Sequence, residues 1–186
     1  MDLAARLGRM SPIGTSAPDE RGLVRAAQRG SVDAMERLYR LHWPRAYRAA
    51  YLVTRDASAA EDIAQEAFLA AVRALDRFDR RRPFGPWLHR IVVNRAIDWT
   101  RARTLRGEVA ADELPSVQAN GDRLDDLVDR LAVLPPDQRA VVVLRHLLEY
   151  TPGEIAELLG LPRGTVNSRL RRGLDALRDD GRVQST

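Results

Sequence analysis

The sequence predicts an all-α protein built from two small helical domains joined by a flexible linker. Three observations carry that expectation. Apolar residues recur at three- and four-residue spacing through most of the chain, the period of a helix with one buried face. No segment alternates apolar and polar residues as a half-buried strand does. Between residues 104 and 122 the apolar period stops, and Pro115 and Asn120-Gly121 punctuate the gap as a linker.

Residues 1–18 mix Gly, Ser, Pro and Thr without period and read as a flexible tail. A short helix is expected from Asp19 to Gln28, closed by Gly30 in the left-handed conformation. Ser31 can cap the next helix, which carries Met35, Leu38, Tyr39, Trp43 and Tyr47, with Pro44 as a kink or break. Ser58 can cap a third helix running to about Phe78. Its apolar residues, Ile63, Ala64, Ala67, Phe68, Ala71, Val72 and Leu75, form one broad face; Asp62, Gln65, Glu66, Leu69 and Arg73 lie opposite. A charged loop, Asp79-Arg80-Arg81-Arg82-Pro83, precedes a fourth helix with Pro86 in its first turn. That helix is expected to bury Leu88, Ile91, Val92 and Trp99 and to present Arg90, Asn94, Ile97 and Arg101 on its other face. These elements make a first domain, 19–103. After the linker, Leu124, Leu127, Val128 and Leu131 restart the period for a second domain, 123–180. Leu134-Pro135-Pro136 interrupts it, and another apolar helix is expected from Asp137 to Leu148. Residues 181–186 read as a C-terminal tail.

Composition narrows the function. The 186 residues contain 45% hydrophobic and 30% charged side chains, ordinary for a globular protein. No cysteine is present, which excludes disulfides, thiol catalysis and cysteine-ligated zinc and fits a reducing compartment. No apolar run approaches the ~20 residues that span a bilayer, and no secretion signal opens the chain. A cytoplasmic location without membrane insertion is therefore expected. The net charge of +4 suggests an anionic partner, and every basic residue is arginine, whose planar fork suits phosphates and guanine edges. The three histidines, His42, His89 and His146, stand apart from any paired-carboxylate, metal-spacing or nucleophile pattern. No glycine-rich phosphate loop is present. No enzyme, metal or cofactor is expected.

The strongest local pattern lies near the C-terminus. Thr151-Pro152-Gly153-Glu154 is a helix start with a capping box and proline in its first turn. A short helix burying Ile155, Ala156, Leu158 and Leu159 ends at Gly160, and Pro162 opens a second helix. There Val166, Leu170, Gly173, Leu174 and Leu177 share one face, while Asn167, Ser168, Arg171 and Arg172 spread over the other. A short helix, a glycine turn and a second helix with a polar, basic outer face is the geometry that sets side chains in a major groove.

Two ordered motifs make the whole resemble an extracytoplasmic-function (ECF) sigma factor of bacterial RNA polymerase. The first is Asp62-Ile63-Ala64-Gln65-Glu66-Ala67-Phe68, then Ala74-Leu75-Asp76-Arg77-Phe78, then 84–94, Phe84-Gly85-Pro86-Trp87-Leu88 through Asn94. The second is Leu134-Pro135-Pro136-Asp137-Gln138-Arg139, then 150–160, then Gly164-Thr165-Val166-Asn167-Ser168-Arg169-Leu170. The resemblance implies a first domain similar to sigma region 2 and a second similar to sigma region 4. It implies docking of Asp62, Gln65 and Glu66 on the clamp helices of the largest polymerase subunit. It implies capture of a flipped −10 base by the loop Asp79–Pro83 and Asn94, with Arg80, Arg81, Arg82, Arg90 and Arg101 on phosphates or bases. It implies −35 recognition by Asn167, Ser168, Arg171 and Arg172, contact of the second domain with the flap of the second-largest subunit, and inhibition by an anti-sigma factor. Many family members carry Lys or Arg where Asn167 stands. The same helix-turn-helix also fits a regulator that never meets polymerase, or a decoy that binds only an anti-sigma factor. The first of these leaves the constellation from Asp62 to Asn94 without a role.

Overall fold

The computed structural model describes residues 19–107 and 122–183, with side chains placed at 19–107 and 127–180. The expected N-terminal tail, most of the expected linker and the last three residues lie outside the described residues. Eight α-helices are described: α1 (Glu20–Gln28), α2 (Val32–Thr54), α3 (Ala57–Ala74), α4 (Phe84–Leu105), α5 (Asp122–Leu131), α6 (Pro136–His146), α7 (Pro152–Leu159) and α8 (Arg163–Val183). A single 3₁₀ turn, Leu75–Arg77, follows α3. There is no strand among the described residues, and the chain is all-α in two helical units.

Local chemistry explains most boundaries. Ser31 caps α2 by accepting the Ala34 N–H at 3.2 Å. Gly30, at φ 88°, makes the turn that ends α1. The start of α3 falls earlier than Ser58: Asp56 is its cap, accepting the Ala59 N–H at 2.9 Å. The helix also ends earlier than Phe78, passing at Leu75 into the 3₁₀ turn. Pro44 does not break α2, which runs unbroken through 23 residues. Arg40, whose carbonyl loses its helical donor to the proline, is exposed, as is Pro44, so solvent can take that carbonyl. Helix α6 stops at His146, two residues short of the expected end, and α8 begins at Arg163, one after Pro162.

In the first unit α2, α3 and α4 pack against one another, and α1 lies across α2 and the start of α4. Alanines at 60, 64 and 67 of α3 and at 46, 49 and 50 of α2 are fully buried, so small side chains let these helices approach closely. Phe78, Phe84 and Trp87 form an aromatic cluster beneath the 79–83 loop, with ring centroids 4.5–5.9 Å apart. In the second unit α6 packs on α8. Gly173 sits at their contact: a Cβ there would meet Val142 Cγ2 at 3.1 Å.

The two units also touch. Helices α2 and α4 pack against α6, and α4 packs against α7. Polar contacts among the described residues cross this boundary. Arg139 Nη1 donates to the Val53 carbonyl at 2.8 Å. His89 Nδ1 and the Tyr150 hydroxyl lie 2.8 Å apart. Arg101 Nη2 donates to Asp137 Oδ1 at 2.7 Å, while Arg169 lies 3.0 Å from the other Asp137 oxygen. This packing corrects one expectation. Ile97, placed on the outward face of α4, is only 7% exposed. It lies on the same stripe as Arg90, Asn94 and Arg101, the stripe that meets the second unit.

Candidate nucleic-acid interface

The surface expected to meet the −35 element starts with α7. Thr151 accepts the Glu154 N–H at 3.3 Å, and Glu154 Oε2 accepts the Thr151 N–H at 2.8 Å. The capping box is therefore complete, and its hydrogen bonds hold the Glu154 carboxyl below its usual range. Gly160 closes the helix at φ 66°. Three residues later α8 begins, anchored by Val166 and Leu177 in the core. Asn167, Arg171 and Arg172 are exposed on α8, and Ser168 is half-buried. The Ser168 hydroxyl donates to the Thr165 carbonyl at 2.9 Å, so its oxygen remains an acceptor. Arg163, exposed in the first turn, falls on the same face as Asn167 and Arg171 by four-residue spacing. Sequence reasoning passed over Arg163, although that spacing was there to be read. Arg169 faces the other way, onto Asp137.

The surface expected to meet the −10 strand is the loop and the outer stripe of α4. Arg80, Arg81, Arg82 and Arg90 are exposed, and Asn94 is half-buried. Asp79 shapes the loop: its Oδ1 accepts the Arg81 backbone N–H at 3.0 Å and Arg81 Nε at 3.1 Å, which holds its carboxyl below the usual range. Arg82 N–H closes a turn on the Asp79 carbonyl at 2.9 Å. Arg101 is exposed but bound to Asp137. A cleft of about 330 Å³ separates this surface from the second unit. Arg82, Trp87 and Arg90 line one wall; Tyr150, Glu154 and Glu157 line the other. Trp87 and Trp99 are both half-buried and packed on the core, and Arg103 lies over the Trp99 ring at 5.2 Å.

The third surface is the outer stripe of α3. Asp62, Gln65 and Glu66 are exposed there, with Leu69 in the same row at 55%. Gln65 donates to Glu61 at 3.3 Å, and Glu66 is paired with Arg95. Val72, expected in the core, is instead 45% exposed. It stands one turn beyond Leu69, where the contact of α3 with α2 and α4 has already closed over Ala67, Phe68 and Ala71. An acidic row with two exposed aliphatic side chains suits a protein partner better than DNA.

The histidines sit inside or beside the core. His42 and His89 are buried, and His146 is half-buried. Burial pushes all three below their usual pKa, His89 to about 3. No group of three or more potential metal ligands occurs among the described residues. No helix among them is long and apolar enough to cross a membrane.

Comparison with known proteins follows the same division. Residues 38–106 match the family model "Sigma-70 region 2", and residues 124–177 match "Sigma-70, region 4". The chain is 34% identical over 173 residues to the ECF RNA polymerase sigma factor SigW of Bacillus subtilis, an alignment covering 83% of this chain and 92% of SigW. It is 33% identical over 175 residues to the ECF sigma factor SigM of Mycobacterium tuberculosis, covering 89% of this chain and 88% of SigM. Among solved structures, CnrH in complex with the cytosolic domain of CnrY superposes with a TM-score of 0.67 at 30% identity, covering 86% of this chain and 95% of that one. The Bartonella quintana sigma factor RpoE, solved with the anti-sigma factor NepR, shares the fold at a TM-score of 0.65 and 22% identity, covering 80% of this chain and 96% of that one. Two sigma-type domains in this order, each with its exposed basic surface, place the chain in the ECF group of the sigma-70 family: it belongs to the alternative sigma factors that direct promoter recognition and transcription initiation.

Proposed function

We propose a residue-level division of that activity among the three surfaces. The domain 19–103 binds the polymerase core through Asp62, Gln65 and Glu66 on α3, with Leu69 and Val72 adding apolar contact to the clamp helices of the largest subunit. The same domain takes the non-template −10 strand on Arg80, Arg81, Arg82, Arg90, Asn94 and Arg101. Extruding a base costs a few kcal/mol, and a cationic groove with a half-buried amide at its edge can offset that cost. The domain 123–180 reads the −35 duplex through Asn167, Ser168, Arg171 and Arg172, with Arg163 at the helix start where base edges come closest. Its remaining surface faces the flap of the second-largest subunit. Polymerase supplies the chemistry; this chain selects the promoter and opens it.

One observation carries this reading: α8 presents Arg163, Arg171 and Arg172, and the 79–83 loop with α4 presents Arg80, Arg81, Arg82 and Arg90, all exposed, while Asp62, Gln65 and Glu66 are exposed in one row on α3. A separation-of-function series tests it. Asp62→Arg is expected to lose core binding and keep −35 duplex binding. Arg171→Ala with Arg172→Ala is expected to lose −35 binding and keep core binding. Loss of both functions in either variant overturns the division. An anti-sigma factor is a further proposed partner, supported by structural relatives solved with the cytosolic domain of CnrY and with the anti-sigma factor NepR. Release of Arg101 by Asp137 is then a step in promoter engagement, because one guanidinium edge cannot hold that carboxylate and a phosphate at once.

A further inference from the structure

The loop Asp79–Pro83 spans five residues between two ends that are both tied to α1, a helix outside the matched region 2 segment, which begins at residue 38. At the upstream end, the Gln28 side-chain amide uses both of its hydrogens. It donates to the Leu75 carbonyl at 2.8 Å and to the Phe78 carbonyl at 3.0 Å, fixing the 3₁₀ turn from which the loop leaves. At the downstream end, α4 begins at Phe84, and its N-cap residue, Pro83, has no side chain able to cap it. Glu20 takes that task from 64 residues away: its Oε1 accepts the Phe84 N–H at 2.7 Å and the Gly85 N–H at 3.4 Å. A carboxylate on the first amides of a helix satisfies donors that otherwise lack partners and complements the helix dipole.

The surroundings fix Glu20 in turn. His42 Nε2 lies 3.9 Å from the same oxygen, and the His42 ring stacks obliquely on Phe84 at 5.2 Å. A Cβ on Gly85 would meet His42 at 3.2 Å, so glycine is what admits this arrangement. Helix α1 is itself held by Leu23, Val24 and Ala27, all buried. The Asp79 turn stiffens the loop from within, and the Phe78, Phe84 and Trp87 cluster supports it from beneath.

We propose that α1 is the template of the −10 loop: Glu20 and Gln28 are positioning residues that set the separation and direction of the loop's two ends, and thereby which base the loop accepts. This inference rests on the assignment of the loop to the −10 strand. Neither residue needs to touch DNA. A five-residue loop with both ends fixed presents Arg80 and Arg82 in one arrangement; a loop with one end released presents several, and base discrimination falls while cationic attraction persists.

The test uses reconstituted holoenzyme and a pool of pre-melted promoter fragments randomised at the non-template −10 positions. Wild type is expected to prefer its bases by roughly tenfold or more per position. Glu20→Ala and Gln28→Ala are expected to flatten that preference to below about threefold at the positions read by the loop, with core assembly and −35 duplex binding unchanged. Glu20→Gln keeps an acceptor oxygen and is expected to restore most of the preference. Should either alanine variant fail to fold, Gln28→Asn, which shortens the arm by one methylene, carries the same expectation. Wild-type preference in folded variants overturns the proposal. So does a parallel loss of core assembly, −35 binding and −10 preference in Gln28→Asn and Glu20→Gln, which makes α1 a general scaffold. Arg80→Ala and Arg82→Ala separate the two levels. If they change the preference and the α1 variants do not, the positioning role fails and the −10 assignment stands. If they too leave it unchanged, the −10 assignment itself fails.

Discussion

Arg139 offers the most quantitative test of how the second domain is held. It is 5% exposed and donates four hydrogen bonds to carbonyls: Leu131 at 3.0 Å, Leu134 at 2.8 Å, Ala132 at 3.4 Å and, from the first domain, Val53 at 2.8 Å. Burial pushes its pKa down to about 9, and it stays charged at neutral pH. The guanidinium gathers the open carbonyls at the end of α5 and the turn after it, and the last turn of α2. Arg139→Met keeps much of the stem's packing and removes every donor. Each buried carbonyl left without a partner costs about 1–3 kcal/mol. Leu131 keeps the Leu134 N–H at 3.2 Å, whereas the buried bonds to the Leu134 and Val53 carbonyls are lost outright while the second domain is in place, so the gross cost is about 2–6 kcal/mol. Relief from holding a charge out of water offsets part of it. We expect a net loss of about 3 kcal/mol in a domain of some sixty residues.

Urea unfolding reads this domain by domain, because Trp43, Trp87 and Trp99, the chain's three tryptophans, all lie in the first domain. Tryptophan fluorescence therefore follows the first domain, and far-ultraviolet circular dichroism follows both. With a urea slope of about 1 kcal/mol/M for a small domain, the variant's dichroism midpoint is expected to fall by about 3 M while the fluorescence midpoint moves far less. Arg139→Lys, a point charge with three hydrogens, is expected to fall between. A loss below about 1 kcal/mol, or equal shifts by both probes, refutes the reasoning.

Four further outcomes follow from the same contacts. Arg171→Ala is expected to cost about 1–3 kcal/mol in −35 binding and to relax preference at one position; unchanged affinity and preference in a duplex anisotropy titration contradicts it. Asn94→Ala is expected to leave holoenzyme assembly intact and to lower permanganate reactivity at the −10 region; wild-type reactivity rejects the role. The folded pKa of His89, about 3, lies below its ordinary 6.5, so the unfolded chain takes up that proton first and stability is lost as pH falls from 6.5 toward 3. From pH 7 to 5 the His89 share is about 2 kcal/mol, and a His89→Gln variant is expected to lose correspondingly less over that range in parallel urea titrations. Asp137→Ala is expected to change stability by about 1 kcal/mol or less and to steepen the salt dependence of DNA binding, because Arg101 and Arg169 become available to phosphates; an unchanged slope of log affinity against log salt contradicts that.

Much of the site was legible because it is local. The capping box at Thr151 and Glu154, the left-handed Gly30 and Gly160 and the outward stripe of α3 each depend on residues within one or two turns, and periodicity reports those directly. What escaped depends on contacts between distant segments. Glu20 and Gln28 look like surface residues of a short helix until the fold brings them to the ends of the 79–83 loop. Ile97 follows the polar stripe of α4 in sequence, yet it is buried in the folded chain. Arg139 reads as an exposed charge in the first turns of α6, yet four carbonyls from three segments enclose it. Asp56 out-competed Ser58 as a cap, and Pro44 was tolerated because its helix face is open to water; in both, the competing local signals were of similar strength.

The central claim is that this chain brings core polymerase to a promoter, and run-off transcription tests it most directly. Purified protein is combined with sigma-free bacterial core polymerase and a library of promoter fragments. The account predicts discrete transcripts that require the protein, start downstream of a shared pair of −35 and −10 elements, and disappear with Asp62→Arg. Core binding without any specific transcript, or transcripts unaffected by that substitution, would contradict it.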